Sequence, residues 1–305
     1  MAGCGGGGST KGADPAAGDP GKLRVVASFY PMYEFARQVA GDRAEVVAMV
    51  PEGVEPHDWE PTPKDMAMLS KADVFVYNGM VEGWAEQALS SAANAGRVNV
   101  EASQGVALAS GDAEEAHEAH SEADHGDHVH DGADPHVWLS PALAQREVEN
   151  IRDGLAKADP AHKSDYEANA SAYIAKLQKL DADFKSGLQG TKRKDFVTQH
   201  AAFGYLAREY GLVQVPIAGL SPEQEPTPAE MAAVVQKVKS LGIGTIFFEE
   251  LVDPKIAETI ADETGAKTAV LNPIEGLTKQ DKERHLDYIG IMENNLSALI
   301  EALNE

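Results

Sequence analysis

From Leu23 onward, short Val-rich apolar runs alternate with longer stretches whose apolar positions recur every three or four residues. LRVVASFY (23–30), AEVVAMV (44–50), VFVYN (74–78) and VNVEA (98–102) predict strands. Helices are expected from the first strand to about Gly41, from Pro63, and near 84–94. The pattern stops at residue 112 and resumes at Ser140-Pro141, where Ser can cap a helix and Pro suits its first turn. That helix should run to about Ala158, and Asp159-Pro160 opens a longer one over about 160–188. Its apolar stripe is Tyr166, Ala170, Tyr173, Ile174, Leu177, Leu180, Phe184 and Leu188. At 1.5 Å per residue it spans roughly 40 Å, enough for a rigid strut along a whole domain edge. Beyond it DFVTQH (195–200), a run near 213–217, TIFFEE (245–250) and AKTAVLN (266–272) predict further strands. Helices between them reach about Gly211, open at Thr227-Pro228-Ala229-Glu230 with a capping box, and run from Asp253-Pro254 to Gly265. A last helix is expected over 279–303.

Strands alternating with helices specify βαβ units. The expected fold is therefore α/β: two lobes, each with a parallel-rich β-sheet flanked by helices, joined by one long rigid α-helix. The expected bounds are a flexible tether over 1–22, an N-terminal lobe over 23–158, a linker helix over 159–189 and a C-terminal lobe over 190–305.

Charge narrows the partners. A formal net charge of −23 over 305 residues excludes nucleic acid, whose phosphates need a basic surface, and favours cations. No apolar run is long enough to span a membrane. The single cysteine, Cys4, excludes an internal disulfide and a cysteine-rich zinc site. Its setting, Ala-Gly-Cys-Gly, resembles the end of a bacterial lipobox, which would make Cys4 a lipidated mature N-terminus followed by a Gly/Ser-rich tether; the alternative is a free thiol in a tail. Residues 112–134 hold nine acids, five histidines and no Lys or Arg, a composition expected to stay disordered.

Ligands of open α/β sheets bind beyond the carboxyl ends of strands. Four side chains are expected there: His57 in PEGVEPHDWEPTP, His136 in DPHVWLSP, His200 at the end of DFVTQH, and Glu275 in NPIEGL. They fall at what look like equivalent positions in the two lobes. Three imidazoles and one carboxylate make a tetrahedral zinc shell. Pro56 and Pro135 precede two of the histidines, and Trp59 and Trp138 follow them, which restricts how the rings turn.

PEGVEPHDWEPTPKD, DPHVWLSP, TQHAAFGYLAREYGL and NPIEGL together resemble the metal-site segments of the substrate-binding lipoproteins of bacterial zinc ABC importers, the AdcA/ZnuA-type group of the metal-receptor family. The similarity covers nearly the whole chain from residue 22. It implies two lobes on one connecting helix with metal between them, His57, His136 and His200 as ligands, and Glu275 as the carboxylate. Glu249, Glu250 or a water are the alternatives for the last position. Manganese receptors of the family place a carboxylate where this chain has His200, so the resemblance implies Zn²⁺ as cargo. The implied function is a high-affinity extracytoplasmic Zn²⁺ receptor, a monomer anchored to the cell membrane through Cys4, which hands the ion to an ABC permease and its ATPase. Alternatives are a receptor for manganese or another divalent metal, and a surface zinc buffer or adhesin. A metallohydrolase is disfavoured, since the chain has no HExxH and only Asp58 or Glu60 to serve as base. Because imidazole must be neutral to ligate, binding should weaken as pH falls towards about 6.5. His117, His120, His125, His128 and His130 are expected to capture extra Zn²⁺ weakly beside the site, the bland alternative being an inert solvated insert. His162 and His285 are expected on helix surfaces without a role.

Overall fold

A computed structural model describes residues 22–109 and 132–305; Cys4 and the five histidines from His117 to His130 lie outside the described residues. Each Val-rich run is a strand. β1 (Leu23–Ala27), β2 (Ala44–Ala48), β3 (Val74–Tyr77) and β4 (Val98–Glu101) form a parallel sheet in the order β2-β1-β3-β4. Its crossovers are α1 (Tyr30–Ala40), α2 (Pro63–Lys71) and α3 (Ala85–Ser91). A second parallel sheet, β6-β5-β7-β8, repeats this order with β5 (Asp195–Thr198), β6 (Val213–Pro216), β7 (Thr245–Phe248) and β8 (Lys267–Val270). The repetition puts a topological switch point between β1 and β3, and another between β5 and β7.

Between the two sheets along the chain come α4 (Pro141–Ala158) and the 26-residue α5 (Lys163–Leu188). Ser140 caps α4 by accepting the Leu143 N–H, as its spacing predicts. The stripe of α5 is buried as expected at seven positions, while Ile174 is only partly covered. One apolar core extends from Val25 of β1 through Tyr173, Leu177 and Phe184 of α5 to residues near the C-terminus such as Leu299 and Leu303. Long as expected, α5 does more than bridge: both halves pack on it.

Local signals placed the other helix starts well. The capping box at Thr227 and Glu230 opens α7 (Pro228–Leu241). α6 (Gly204–Glu209) and α8 (Lys255–Thr264) follow β5 and β7. The last expected helix is two: α9 (Lys279–Glu283), capped by Thr278 and Asp281, and α10 (Tyr288–Leu303), capped by Asp287. His285 sits in the break with φ of +56°, so it is a turn residue and not a helical one. His162 likewise lies in a one-turn 3-10 helix, its Nδ1 2.7 Å from Asp159, ahead of α5.

Candidate metal centre

The four expected side chains converge. One donor atom each from His57, His136, His200 and Glu275 lies within 4.8 Å of all the others. A Glu275 carboxylate oxygen is 3.2 Å from His57 Nε2, 3.3 Å from His136 Nε2 and 3.5 Å from His200 Nε2. The Nε2 atoms of His136 and His200 are 3.3 Å apart. Zinc–nitrogen bonds of about 2.0–2.1 Å make the edge of a ligand tetrahedron roughly 3.3–3.4 Å, which these four separations match, while those from His57 to the other two imidazoles stay within 4.8 Å. His136, His200 and Glu275 are buried and His57 is at the rim.

Their placement in the fold is less symmetric than expected. His200 follows the central strand β5 at the second switch point, and Glu275 follows the edge strand β8. His57 and His136 follow the edge strands β2 and β4. At the first switch point stand Ser28, Asn78 and Glu82 instead, with the Ser28 hydroxyl and the Asn78 N–H both donating to the Glu82 carboxylate.

Each of the four side chains is held by its own local structure. In the loop after β2, the Glu55 carboxylate accepts the His57 N–H at 3.0 Å. Trp59, two residues on, packs edge-on against Trp84 with centroids 5.3 Å apart and ties that loop to the N-terminal half. Asp134 Oδ1 accepts from both the His136 backbone N–H (3.0 Å) and Nδ1 (2.8 Å). Glu249 Oε1 does the same for His200, at 3.2 and 2.6 Å. A carboxylate at Nδ1 keeps a proton there and turns Nε2 toward the cluster as the atom that can ligate once its own proton is lost.

Glu275 is aimed by strained backbone. Ile274 before it has φ of +60°, rare for a β-branched residue and held only where neighbours over-determine it. Asn272 Oδ1 accepts the Ile274 N–H at 2.7 Å, and Asn272 is itself pinned by Asn295 through both its N–H and its carbonyl. Trp138, two residues after His136, donates to the Pro273 carbonyl at 2.8 Å and joins the segments of His136 and Glu275 across the halves.

Of the three acids considered, Glu275 alone faces the imidazoles. Glu249 stands behind His200, and Glu250 accepts from the Asn272 side chain at 2.9 Å. The acidic segment also ends sooner than expected: Asp134, taken as its last disordered residue, is buried and orients His136. Sequence reasoning passed over this role, although Asp-Pro-His is a readable Asx-turn spacing in which an Asp accepts from the N–H two residues on.

Electrostatics link the cluster. Burial by itself lowers the His200 pKa, but the Glu249 and Glu275 carboxylates outweigh it and push the ring up to about 10. Burial would raise Glu275, yet the three imidazoles hold its pKa well below the usual carboxylate range. An arriving cation must displace protons held more tightly than a free imidazole would hold them, so competition extends above the pH of about 6.5 expected from the sequence.

Two parallel sheets packed on one long helix, with a three-imidazole, one-carboxylate cluster between them, define an α/β solute-binding protein with a site able to hold a metal ion. The family described as zinc-uptake complex component A, periplasmic (ZnuA) matches residues 25–302, and the chain belongs to that family. It is 50% identical over 296 residues to the high-affinity zinc uptake system protein ZnuA of Bacillus subtilis, covering 97% of this chain and 91% of that protein. It is 45% identical to the zinc-binding lipoprotein AdcA of Streptococcus pneumoniae over 287 residues, 93% of this chain but 56% of that longer protein. Among solved structures, the Zn(II)-bound ZnuA-like domain of S. pneumoniae AdcA superposes with a TM-score of 0.78 at 43% identity, covering 93% of this chain and all of that one. The laminin-binding protein of Streptococcus agalactiae, described as having adhesin and metal-transporting activity, superposes with a TM-score of 0.79 at 35% identity, covering 92% and 99% of the two chains. The family is one of solute-binding receptors that work with an ABC transporter, and its members are described as periplasmic proteins or lipoproteins. Among the described residues no helix is long and apolar enough to cross a membrane.

Proposed function

We propose that this chain is an extracytoplasmic receptor that binds Zn²⁺ through His57, His136, His200 and Glu275 and delivers it to the permease and ATPase of an ABC importer. The observation that carries the reading is the single Glu275 oxygen standing 3.2–3.5 Å from three imidazole Nε2 atoms. Three neutral nitrogens and one carboxylate are borderline donors that favour Zn²⁺ over the harder Mn²⁺. The Asp134 and Glu249 carboxylates behind two of the rings add negative charge and raise the basicity of those ligands. The similarity to zinc uptake proteins points the same way.

Two lobes, 23–158 and 190–305, each supply two ligands across the linker 159–189, so an ion in the cleft favours their closed arrangement. The shared core along α5 keeps that movement small, and the permease reads the difference. Cys4, ahead of the tether 1–22, carries the lipid that holds a monomeric receptor at the membrane surface. The histidines from His117 to His130 capture further Zn²⁺ weakly. Deletion of 112–131, which spares Asp134, lowers the number of zinc ions bound if they do.

Metal analysis of the purified protein with a competition titration of Zn²⁺ against Mn²⁺ tests the main reading. Losing an outer partner of a ligand costs about 10–100-fold in affinity, so losing the ligand itself in His200→Ala should cost more than about 100-fold. Circular dichroism should show the fold intact. Tight binding by that variant sinks the ligand set, and preference for Mn²⁺ sinks the cargo.

A further inference from the structure

We propose that Tyr205 is a positioning residue: from the C-terminal half it holds the two chain ends flanking residues 110–131 and, through Asp134, sets the ring of His136. The proposal rests on the zinc-receptor reading and deepens it. It makes closure of the two halves and orientation of one ligand a single event.

Tyr205 lies on α6, just after His200. Its hydroxyl accepts the Ala109 N–H at 3.1 Å and donates to the Asp134 carbonyl at 2.9 Å. The Asp134 N–H in turn donates to the Ala109 carbonyl at 2.9 Å. These three hydrogen bonds form a closed ring through Ala109, Asp134 and Tyr205. Only a hydroxyl can accept from one backbone group and donate to another at the same atom, so a phenol suits the position and a phenyl ring does not.

Packing shows that the contact is built. Tyr205 is buried with Ala109 and Val137 in a small cluster apart from the main core, flanked by Met80, Val106 and Leu143. Arg208 lies over the ring, 5.3 Å from its centroid. Next to it, a Cβ on Gly204 would come within 2.5 Å of Asp134 Oδ2. The Asp134 carboxylate is thus seated between the backbone of Gly204 and the imidazole of His136. One short segment, 200–205, delivers both a ligand and the clamp on a second ligand's partner. Should the halves part, Asp134 loses the Tyr205 bond and the Gly204 wall together, and with them two contacts from the C-terminal half that fix the acid orienting His136.

The test compares full-length Tyr205→Phe and Gly204→Ala with Tyr166→Phe. The control loses a hydroxyl bonded to Asp159 at the far end of α5, at 2.9 Å. Zn²⁺ affinity is measured by competition with a fluorescent chelator. The histidine rings are followed by ¹⁵N NMR in ion-free and zinc-loaded protein. Loss of an outer partner weakens metal binding by 10–100-fold, and Tyr205 acts one bond further out. Tyr205→Phe is therefore expected to raise the Zn²⁺ Kd about tenfold, chiefly through faster release. The His136 ring signals should shift in the ion-free protein as well. Gly204→Ala, which crowds Asp134 without touching the hydroxyl, should do the same, and Tyr166→Phe should do neither. An unmoved His136 signal in both variants overturns the proposal, as does an affinity loss in Tyr205→Phe no larger than the control's. A wild-type protein that binds no Zn²⁺ overturns the receptor reading instead, and the ion-free ring signals still decide the role of Tyr205.

Discussion

Glu147 of α4 is a buried acid away from the four-residue cluster. It is fully buried, and neither of its oxygens has a hydrogen-bond partner among the described residues. Burial holds its carboxyl well above the usual range, and the Glu82 carboxylate adds to the effect. In the unfolded chain Glu147 ionises near the ordinary value of about 4.3. Between that pH and its folded value the unfolded chain binds fewer protons than the native one, so stability falls as pH rises. Glu147→Gln keeps the shape without the ionisable proton. Urea denaturation across pH 5–8 should show a flatter profile for the variant and greater stability than wild type at pH 8. A superimposable pair of profiles would mean that Glu147 is already ionised in the fold. The roles of other side chains were legible in proportion to their reach. Asp134 acts on a neighbour two positions away and its spacing can be read, whereas Glu249 acts on His200 across 49 positions and cannot.

Helices and strands were the most readable feature, because their signals are local. Capping by Ser140 and the box at Thr227 and Glu230 depend on groups three residues apart. The break between α9 and α10 lay inside one expected helix although Thr278-Lys-Gln-Asp281 and Asp287 are both caps, since the charged run 279–285 carries no Gly or Pro to mark a stop before the apolar period that starts at Leu286. Gly154, inside α4, shows packing overruling propensity. Alanine there would gain about 0.5–1 kcal/mol of helix preference. Its Cβ would, however, sit 2.2 Å from a methyl of Val100, and overpacking costs about 1–3 kcal/mol. Gly154→Ala should therefore lower the denaturation midpoint, whereas a rise would show that Val100 can move aside at little cost.

The two halves share a core through α5 and bring four donor side chains together beyond the carboxyl ends of their strands, so an ion held there should stabilise both together. A ligand that binds only the native state at about 1,000 times its Kd adds roughly 4.1 kcal/mol. Calorimetry of the metal-free chain should give one transition that moves to higher temperature with Zn²⁺ and returns when a chelator is added. If only part of the transition moves, the halves unfold separately and the ion belongs to one of them. Rigidity along α5 could be anticipated from its length and stripe. That the same stripe would merge two cores could not, because α10 meets α5 from more than 100 residues further along the chain.

Element types, their order and the donors available to a cation follow from interactions within a few residues, and the chain alone was enough to establish them. It was also enough to name the three histidines and a short set of acids for the fourth position. Three-dimensional packing decided which acid faces the imidazoles, which stands behind one, and which tyrosine closes the ring over Asp134. His57 and Glu275 are 218 positions apart, and their 3.2 Å separation depends on strand order, on Ile274 being forced to positive φ, and on Trp138 reaching Pro273. Those are properties of surfaces brought together by burial, and no local pattern encodes them.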